Sequence, residues 1–104
     1  MLKVKKKAYS ILKRLKRYVD KNDYERYMKL LNDFQKIYRI IDRDKSISIE
    51  ENREWDDARN KLNLVFILRK STSGRLGTQY YVEQEKNALK KFSEIMDKLK
   101  KYLK

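Results

Sequence analysis

Basic side chains near the N-terminus are the residues of this sequence best suited to chemistry. Six of them recur at helical spacing along one side of the first predicted helix: Lys3, Lys6, Lys7, Lys13, Arg14 and Arg17. Ammonium and guanidinium groups bind phosphate oxygens, and a guanidinium does so through two parallel hydrogen bonds. Lys70 and Arg75, in the polar loop 70–77, are two further candidates. These eight residues predict a nucleic-acid-binding site that contacts phosphates and uses no metal or cofactor.

The distribution of charge favours the same interpretation. The chain of 104 residues has 28 Lys and Arg against 15 Asp and Glu, a net charge of +13, and residues 1–20 contribute +7 of it. A concentrated positive potential attracts polyanions and raises their rate of association. Nucleic acid, either DNA or RNA, is therefore the predicted partner. A protein partner, a homodimer and an anionic membrane surface are alternatives that would use the same helix.

Tyrosine supplies a second feature of nucleic-acid-binding surfaces. The chain has eight tyrosines, and exposed aromatic rings stack on unpaired bases. Tyr9 and Tyr80 lie at the borders of apolar stripes, so these two are predicted to be exposed. The tyrosines within the stripes are predicted to be core residues.

No arrangement of residues predicts catalysis. The absence of Cys and His excludes zinc fingers, cysteine nucleophiles and histidine bases. A predicted helix begins with four acidic residues, Glu50, Glu51, Glu54 and Asp57, and negative charge at this end complements the helix dipole. Glu50, Glu54 and Asp57 fall on one helical face, where their carboxylates could in principle hold Mg²⁺. The segment 73–77 lacks the Gly-Lys-Ser/Thr of a phosphate-binding loop. The chain is predicted to be a binding protein and not an enzyme.

Four segments with apolar residues every three or four positions predict four amphipathic helices. Asp23 is the predicted N-cap of the second helix, whose stripe includes Met28, and Ser48 with Glu51 forms a predicted capping box at the third. Short connections between the helices predict an antiparallel four-helix bundle, with residues 1–104 as a single helical domain. Seven residues of the stripes are predicted to be buried: Leu15, Leu31, Phe34, Trp55, Leu62, Phe92 and Leu99.

A second fold is consistent with the region 63–83. Residues 63–70 are rich in Leu, Val, Phe and Ile, and residues 78–83 read Thr-Gln-Tyr-Tyr-Val-Glu. Both runs have the composition of strands, and a Ser- and Gly-containing loop separates them. The alternative is therefore a helical protein with a winged β-hairpin at about 63–83, its tip at 73–76.

The predicted function is that of a small basic accessory protein that binds nucleic acid through helix one and the loop 70–77. The alternative is a four-helix protein of the immunity or anti-defence type, which acts by protein–protein contact, including at the membrane surface. In size and charge the chain resembles small helical subunits of RNA-guided effector complexes and four-helix bacteriocin immunity proteins. Its Lys, Ile, Tyr and Asn content is typical of an AT-rich phage, plasmid or bacterial genome. The longest apolar run, 64–68, is too short to span a bilayer, and a cytoplasmic location is expected.

Overall fold

The chain folds into α-helices. The computed structural model describes residues 1–71 and 78–104, and within them it contains four α-helices, one short 3₁₀ helix and no strand. The helices are α1 (Leu2–Asp20), α2 (Tyr24–Arg43), α3 (Ile49–Ser71) and α4 (Thr78–Leu99), followed by the 3₁₀ helix Lys100–Leu103. Residues 63–70 and 78–83 are helical, so the prediction of a β-hairpin is wrong over both runs. Its predicted tip, 73–76, lies outside the described residues.

Local hydrogen bonds account for where α2 and α3 begin. The carboxylate of Asp23 accepts a hydrogen bond from the backbone N–H of Arg26 at 3.2 Å, which confirms the predicted N-cap. Asn22, just before it, has a φ of 57°, a left-handed conformation that asparagine tolerates better than most residues. At α3 the Ser48 hydroxyl accepts from the Glu51 N–H at 3.1 Å, which is one of the two hydrogen bonds of the predicted capping box; within the described residues, the return bond from the Glu51 carboxylate is not formed. The Glu51 carboxylate itself has other partners.

One hydrophobic cluster contains residues from all four helices. The prediction of burial is confirmed at all seven positions, none of which is more than 7% exposed. The helices pack mainly in two pairs, α1 with α2 and α3 with α4, and α3 also contacts α1 and α2. The described chain is therefore a helical bundle around a shared core.

The predicted apolar stripe of α2 is wrong at one position. Met28 is 48% exposed, whereas Leu30 and Ile37, which were not in the predicted stripe, are buried. Both buried residues line the groove between α2 and α1, next to Ile11. Because α2 packs mainly against α1, its buried arc is turned toward that helix and away from Met28.

A buried ion pair joins the N-terminal part of α1 to the first turn of α3. The Lys5 ammonium lies 2.9 Å from a carboxylate oxygen of Glu51, which is only 5% exposed. The indole N–H of Trp55 donates to the same carboxylate at 3.1 Å, and the Lys5 ammonium also lies 5.8 Å from the centre of the Tyr102 ring. The carboxylate is thus fully engaged, which is what a buried charge requires.

Arg69 joins the other end of α1 to α3 and α4. Its guanidinium donates to the Val19 carbonyl oxygen at 2.5 Å and to Glu85 at 2.7 Å. Val19 lies in the last turn of α1, where carbonyl groups lack partners within the helix. The position of α1 on the bundle is therefore fixed near both of its ends.

We expect Glu51→Gln to lower the free energy of unfolding by about 3 kcal/mol, because it leaves the Lys5 ammonium partly buried without its counter-charge. Lys5→Met should cost a similar amount, and the double variant should cost clearly less than the sum of the two. Urea unfolding followed by circular dichroism measures all three. Strictly additive losses would contradict a direct interaction between the two side chains.

Removal of a large core side chain tests the packing. Phe92 is 2% exposed, so we expect Phe92→Ala to cost about 3–5 kcal/mol. Ser93→Ala at the next, exposed position is the control, with an expected change of about 0.5 kcal/mol or less. Equal effects of the two substitutions in urea unfolding would show that the core is wrongly assigned.

Candidate nucleic-acid interface

The six predicted basic residues of α1 share one exposed surface. At about 100° per residue, Lys3, Lys6, Lys7, Lys13, Arg14 and Arg17 fall within an arc of about 120° on the helix. The buried residues of α1, among them Ala8 and Leu15, are centred on the opposite side, and all six basic residues are exposed. We refer to these six residues as the α1 basic face.

The positive charges of the α1 basic face are not neutralised by acidic side chains of the described part of the fold. Within the described residues, none of the six forms an ion pair, whereas the neighbouring Lys5 and Lys16 are paired with Glu51 and Asp20. Asp20 is the only acidic residue of α1. The positive potential of this face is therefore available to an external anion.

Basic residues of α2 extend the charged surface past the edge of α1. A groove of about 390 Å³ between the two helices is lined by Lys7 and Arg14 from α1 and by Lys36 from α2. A smaller groove beside it brings Arg14 together with Arg26 and Lys29. These α2 residues were not among the predicted site residues, although 26, 29 and 36 are spaced as on one helical face.

Ion pairs and one carboxylate weaken the contribution of α2. Arg26 lies 3.6 Å from Asp23, and Lys29 lies 3.5 Å from Glu25. Asp33 lines both grooves between α1 and α2. The strongest uncompensated charge therefore remains on α1.

A different groove lies on the α4 side of α1. It has a volume of about 300 Å³ and is lined in part by the Tyr9 ring and by Phe92 and Met96 of α4. The cations at its edge come from α1 and are Lys13, Lys16 and Arg17. Tyr9 was predicted to be exposed but is half-buried here, with the Lys13 ammonium 5.9 Å from its ring centre. We refer to this site as the α1–α4 groove.

Of the two residues predicted in the loop 70–77, Lys70 lies in the last turn of α3, so its assignment to a loop is wrong, and it is not part of the α1 basic face. Lys70 is exposed, but its ammonium lies over the rings of Tyr24 and Phe66, at 5.8 Å and 5.3 Å from their centres. These rings belong to α2 and α3, so Lys70 takes part in a cation–π cluster. Arg75 lies outside the described residues.

One of the eight tyrosines is exposed, one is buried and six are half-buried. Tyr80 is 63% exposed, as predicted. Tyr27 is buried, stacks on Phe66 with 4.8 Å between ring centres, and donates its hydroxyl to Asn63. Burial raises the pKa of the Tyr27 hydroxyl above its ordinary value, against a smaller opposing effect of Arg59.

Two further tyrosines have a raised pKa. Desolvation, together with a hydrogen bond to Glu54 and nearby carboxylates, raises the pKa of Tyr102 to about 12. Desolvation and the carboxylates of Asp56 and Asp42 raise the pKa of Tyr38. These hydroxyls lose their protons less readily in the folded chain than an ordinary tyrosine does.

The acidic residues at the start of α3 serve the structure. Glu51 is paired with Lys5, and Glu54 interacts with Tyr102. In the described part of the chain, no three potential ligands lie close enough together to hold a metal ion. Glu50 and Glu51 lie in the first turn of α3, where negative charge interacts favourably with the helix dipole.

Comparison with known proteins gives no match to a family model, to a curated protein or to a solved structure. Among the described helices, none combines the length and the apolar character needed to cross a bilayer.

The raised tyrosine pKa values predict a loss of stability in alkali. A pKa of about 12 for Tyr102, against 10.0 ordinarily, means that the folded chain holds the proton more tightly than the unfolded chain. The resulting stabilisation is complete below pH 10 and is lost as the pH rises toward 12. Far-ultraviolet circular dichroism across this range, with tyrosinate absorbance, measures the effect.

Tyr102→Phe should reduce this alkaline loss of stability, because the variant has no proton to lose at that position. Tyr80→Phe, which removes an exposed hydroxyl, is the matched control and should follow the parent protein. Identical alkaline unfolding curves for the parent and Tyr102→Phe would contradict the assignment.

Proposed function

We propose that this chain is a non-enzymatic nucleic-acid-binding accessory protein of the cytoplasm that contacts phosphates through the α1 basic face. The observation that carries the proposal is a set of six exposed cations on one side of one helix, none of them paired within the described residues. A surface built for solubility alone is best served by interspersed charges of both signs. On α1 the one acidic residue, Asp20, is paired with Lys16.

The chemistry of the face suits a polyanion. Lys3, Lys6 and Lys7 form a cluster of ammonium groups near the N-terminus of α1. Arg14 and Arg17 add guanidinium groups one helical turn apart, which bind phosphate in a bidentate manner. Such contacts are made to the backbone and carry no sequence information by themselves. We therefore propose binding with little dependence on base sequence.

We further propose that the helices are arranged up-down-up-down. Pairs of residues in contact support this order: Tyr24 contacts Phe66 and Tyr38 contacts Arg59, so the position in α3 decreases as the position in α2 increases. Short connections such as 21–23 favour antiparallel neighbours. In this arrangement the basic N-terminus and the Lys-rich segment 98–104 lie at the same end of the bundle.

The proposal predicts a strong dependence of binding on salt. Each phosphate neutralised on duplex DNA contributes about 0.9 to the slope of log K against log salt, so six contacts give a slope of about 5. Fluorescence anisotropy with duplex DNA, single-stranded DNA, structured RNA and anionic vesicles, at several salt concentrations, measures it. Binding to vesicles but to none of the nucleic acids would instead favour the membrane alternative.

Charge reversal on α1 tests the site itself. Lys13→Glu, Arg14→Glu and Arg17→Glu together should weaken nucleic-acid binding by at least about tenfold at low salt and lower the slope by about 3. The fold should survive, since all three residues are exposed on the side opposite the core.

The matched control reverses three exposed lysines of α4, Lys90, Lys91 and Lys98. Three reversals lower the net charge by six, from +13 to +7, in both variants. A site on α1 predicts a much larger effect of the α1 variant. Equal effects of the two variants would mean that net charge alone attracts the ligand, and unchanged binding by the α1 variant would refute the proposal.

A protein-contact function is the second candidate, and one observation favours it. Leu64 and Ile67 of α3 are 41% and 56% exposed, and they lie three positions apart on the same side of the helix. Apolar side chains in such positions are common at protein interfaces. Leu64→Ser with Ile67→Ser should leave nucleic-acid binding unchanged if the first proposal is correct.

A further inference from the structure

We propose that the α1–α4 groove accepts an unstacked base, so that the nucleic acid bound is single-stranded DNA or RNA. This inference rests on the proposed function, because it assigns a strand to the cations of the α1 basic face. It goes further by naming the form of nucleic acid and the residues that would select it.

The groove has the surface that a base requires. A base presents two apolar faces and a polar edge, and the groove offers the Tyr9 ring together with Phe92 and Met96. Phe92 and Met96 are 2% and 7% exposed, so the bottom of the groove is formed by residues of the hydrophobic core. Base–aromatic stacking is the sequence-tolerant interaction by which proteins hold single strands. At about 300 Å³, the groove is at the small end of the range for ligand pockets.

Charge distinguishes this groove from the one on the other side of α1. The groove of about 390 Å³ between α1 and α2 is lined in part by Asp33, whose carboxylate repels a phosphate. The residues that line the α1–α4 groove include three cations and no carboxylate. The nearby Asp20 carboxylate is paired with Lys16 at 2.8 Å. The groove on the α4 side is therefore the better binding site for a nucleotide.

Lys13 and Arg17 connect the groove to the backbone contacts. Both residues belong to the α1 basic face, and both also line the groove. They lie four positions apart, about 6 Å along the helix axis. A strand whose phosphates contact these two side chains can turn a base across Tyr9 into the groove. Paired bases of a duplex are stacked within the helix and cannot enter without being flipped out.

Ser93 allows the groove to be blocked without a change of charge. It is an exposed residue of α4 that lines the groove, and Ser93→Trp would fill the space beside Tyr9. Asn87→Trp is the matched control, since Asn87 is exposed on the same helix and lines a different depression. Circular dichroism and thermal unfolding of both variants establish that the bundle is intact.

The experiment compares the affinities of the parent and both variants for an oligothymidylate, an oligouridylate and a DNA duplex of equal length. We expect Ser93→Trp to weaken binding of the single strands by about tenfold, the usual size of one stacking contact. Binding of the duplex, and all binding by Asn87→Trp, should remain close to the parent values. Comparison of the affinities for the oligothymidylate and the oligouridylate shows whether the protein prefers single-stranded DNA or RNA.

A second measurement uses a single-stranded oligonucleotide that contains 2-aminopurine, whose fluorescence is quenched by stacking. The parent should quench it, and Tyr9→Leu, which keeps an apolar side chain without a ring, should quench it much less. If Ser93→Trp and Tyr9→Leu bind single strands as the parent does, while the α1 charge reversal abolishes binding, the groove proposal is overturned and the proposed function stands. If the parent binds no nucleic acid, both proposals fail.

Discussion

The buried ion pair between Lys5 and Glu51 is the interaction on which the presentation of α1 depends. It takes one lysine out of a strongly basic helix and directs it into the bundle, where the same carboxylate also accepts the Trp55 indole N–H. Near the C-terminal end of α1, Arg69 joins this helix to α3 and α4 by donating hydrogen bonds to the Val19 carbonyl and to Glu85. With both ends fixed, α1 cannot rotate about its axis. Its apolar side is held against the core, and its basic side faces outward.

That arrangement has a cost in stability. Like charges three or four positions apart on a helix repel each other, by about 0.2–0.5 kcal/mol for each pair, and α1 contains several such pairs, among them Lys3–Lys7 and Lys13–Arg17. Acidic residues at intervening positions would remove the repulsion, yet α1 has only Asp20. The burial of Leu12, Leu15 and Val19, each 0% exposed, offsets the repulsion. Residues that violate a stability rule in this way are expected at functional surfaces.

Sequence periodicity predicted the helices, the seven core positions and the exposure of the six cations, because each depends on spacing within one helix. Periodicity was wrong in α2, where the packing partner determines which side of the helix is buried. Met28 is exposed, and Leu30 is buried instead, because α2 packs mainly against α1. Strand-like composition at 63–70 was misleading because apolar residues occur on several sides of α3: Val65 is buried, whereas Leu64 and Ile67 are exposed. The α1–α4 groove could not be predicted, because Tyr9 and Phe92 meet only through tertiary packing.

The two contacts that hold α1 also bear on the order in which the bundle can form. The Lys5–Glu51 contact joins residues 46 positions apart, and the Arg69–Val19 contact joins residues 50 positions apart. During synthesis α1 and α2 emerge from the ribosome before α3 and can pair through a three-residue turn, since helical hairpins form from local contacts. The two side-chain contacts near the ends of α1, however, cannot form until α3 has emerged. The first helix is thus made well before the residues that complete its attachment to the bundle, and until then only its pairing with α2 directs its charged side.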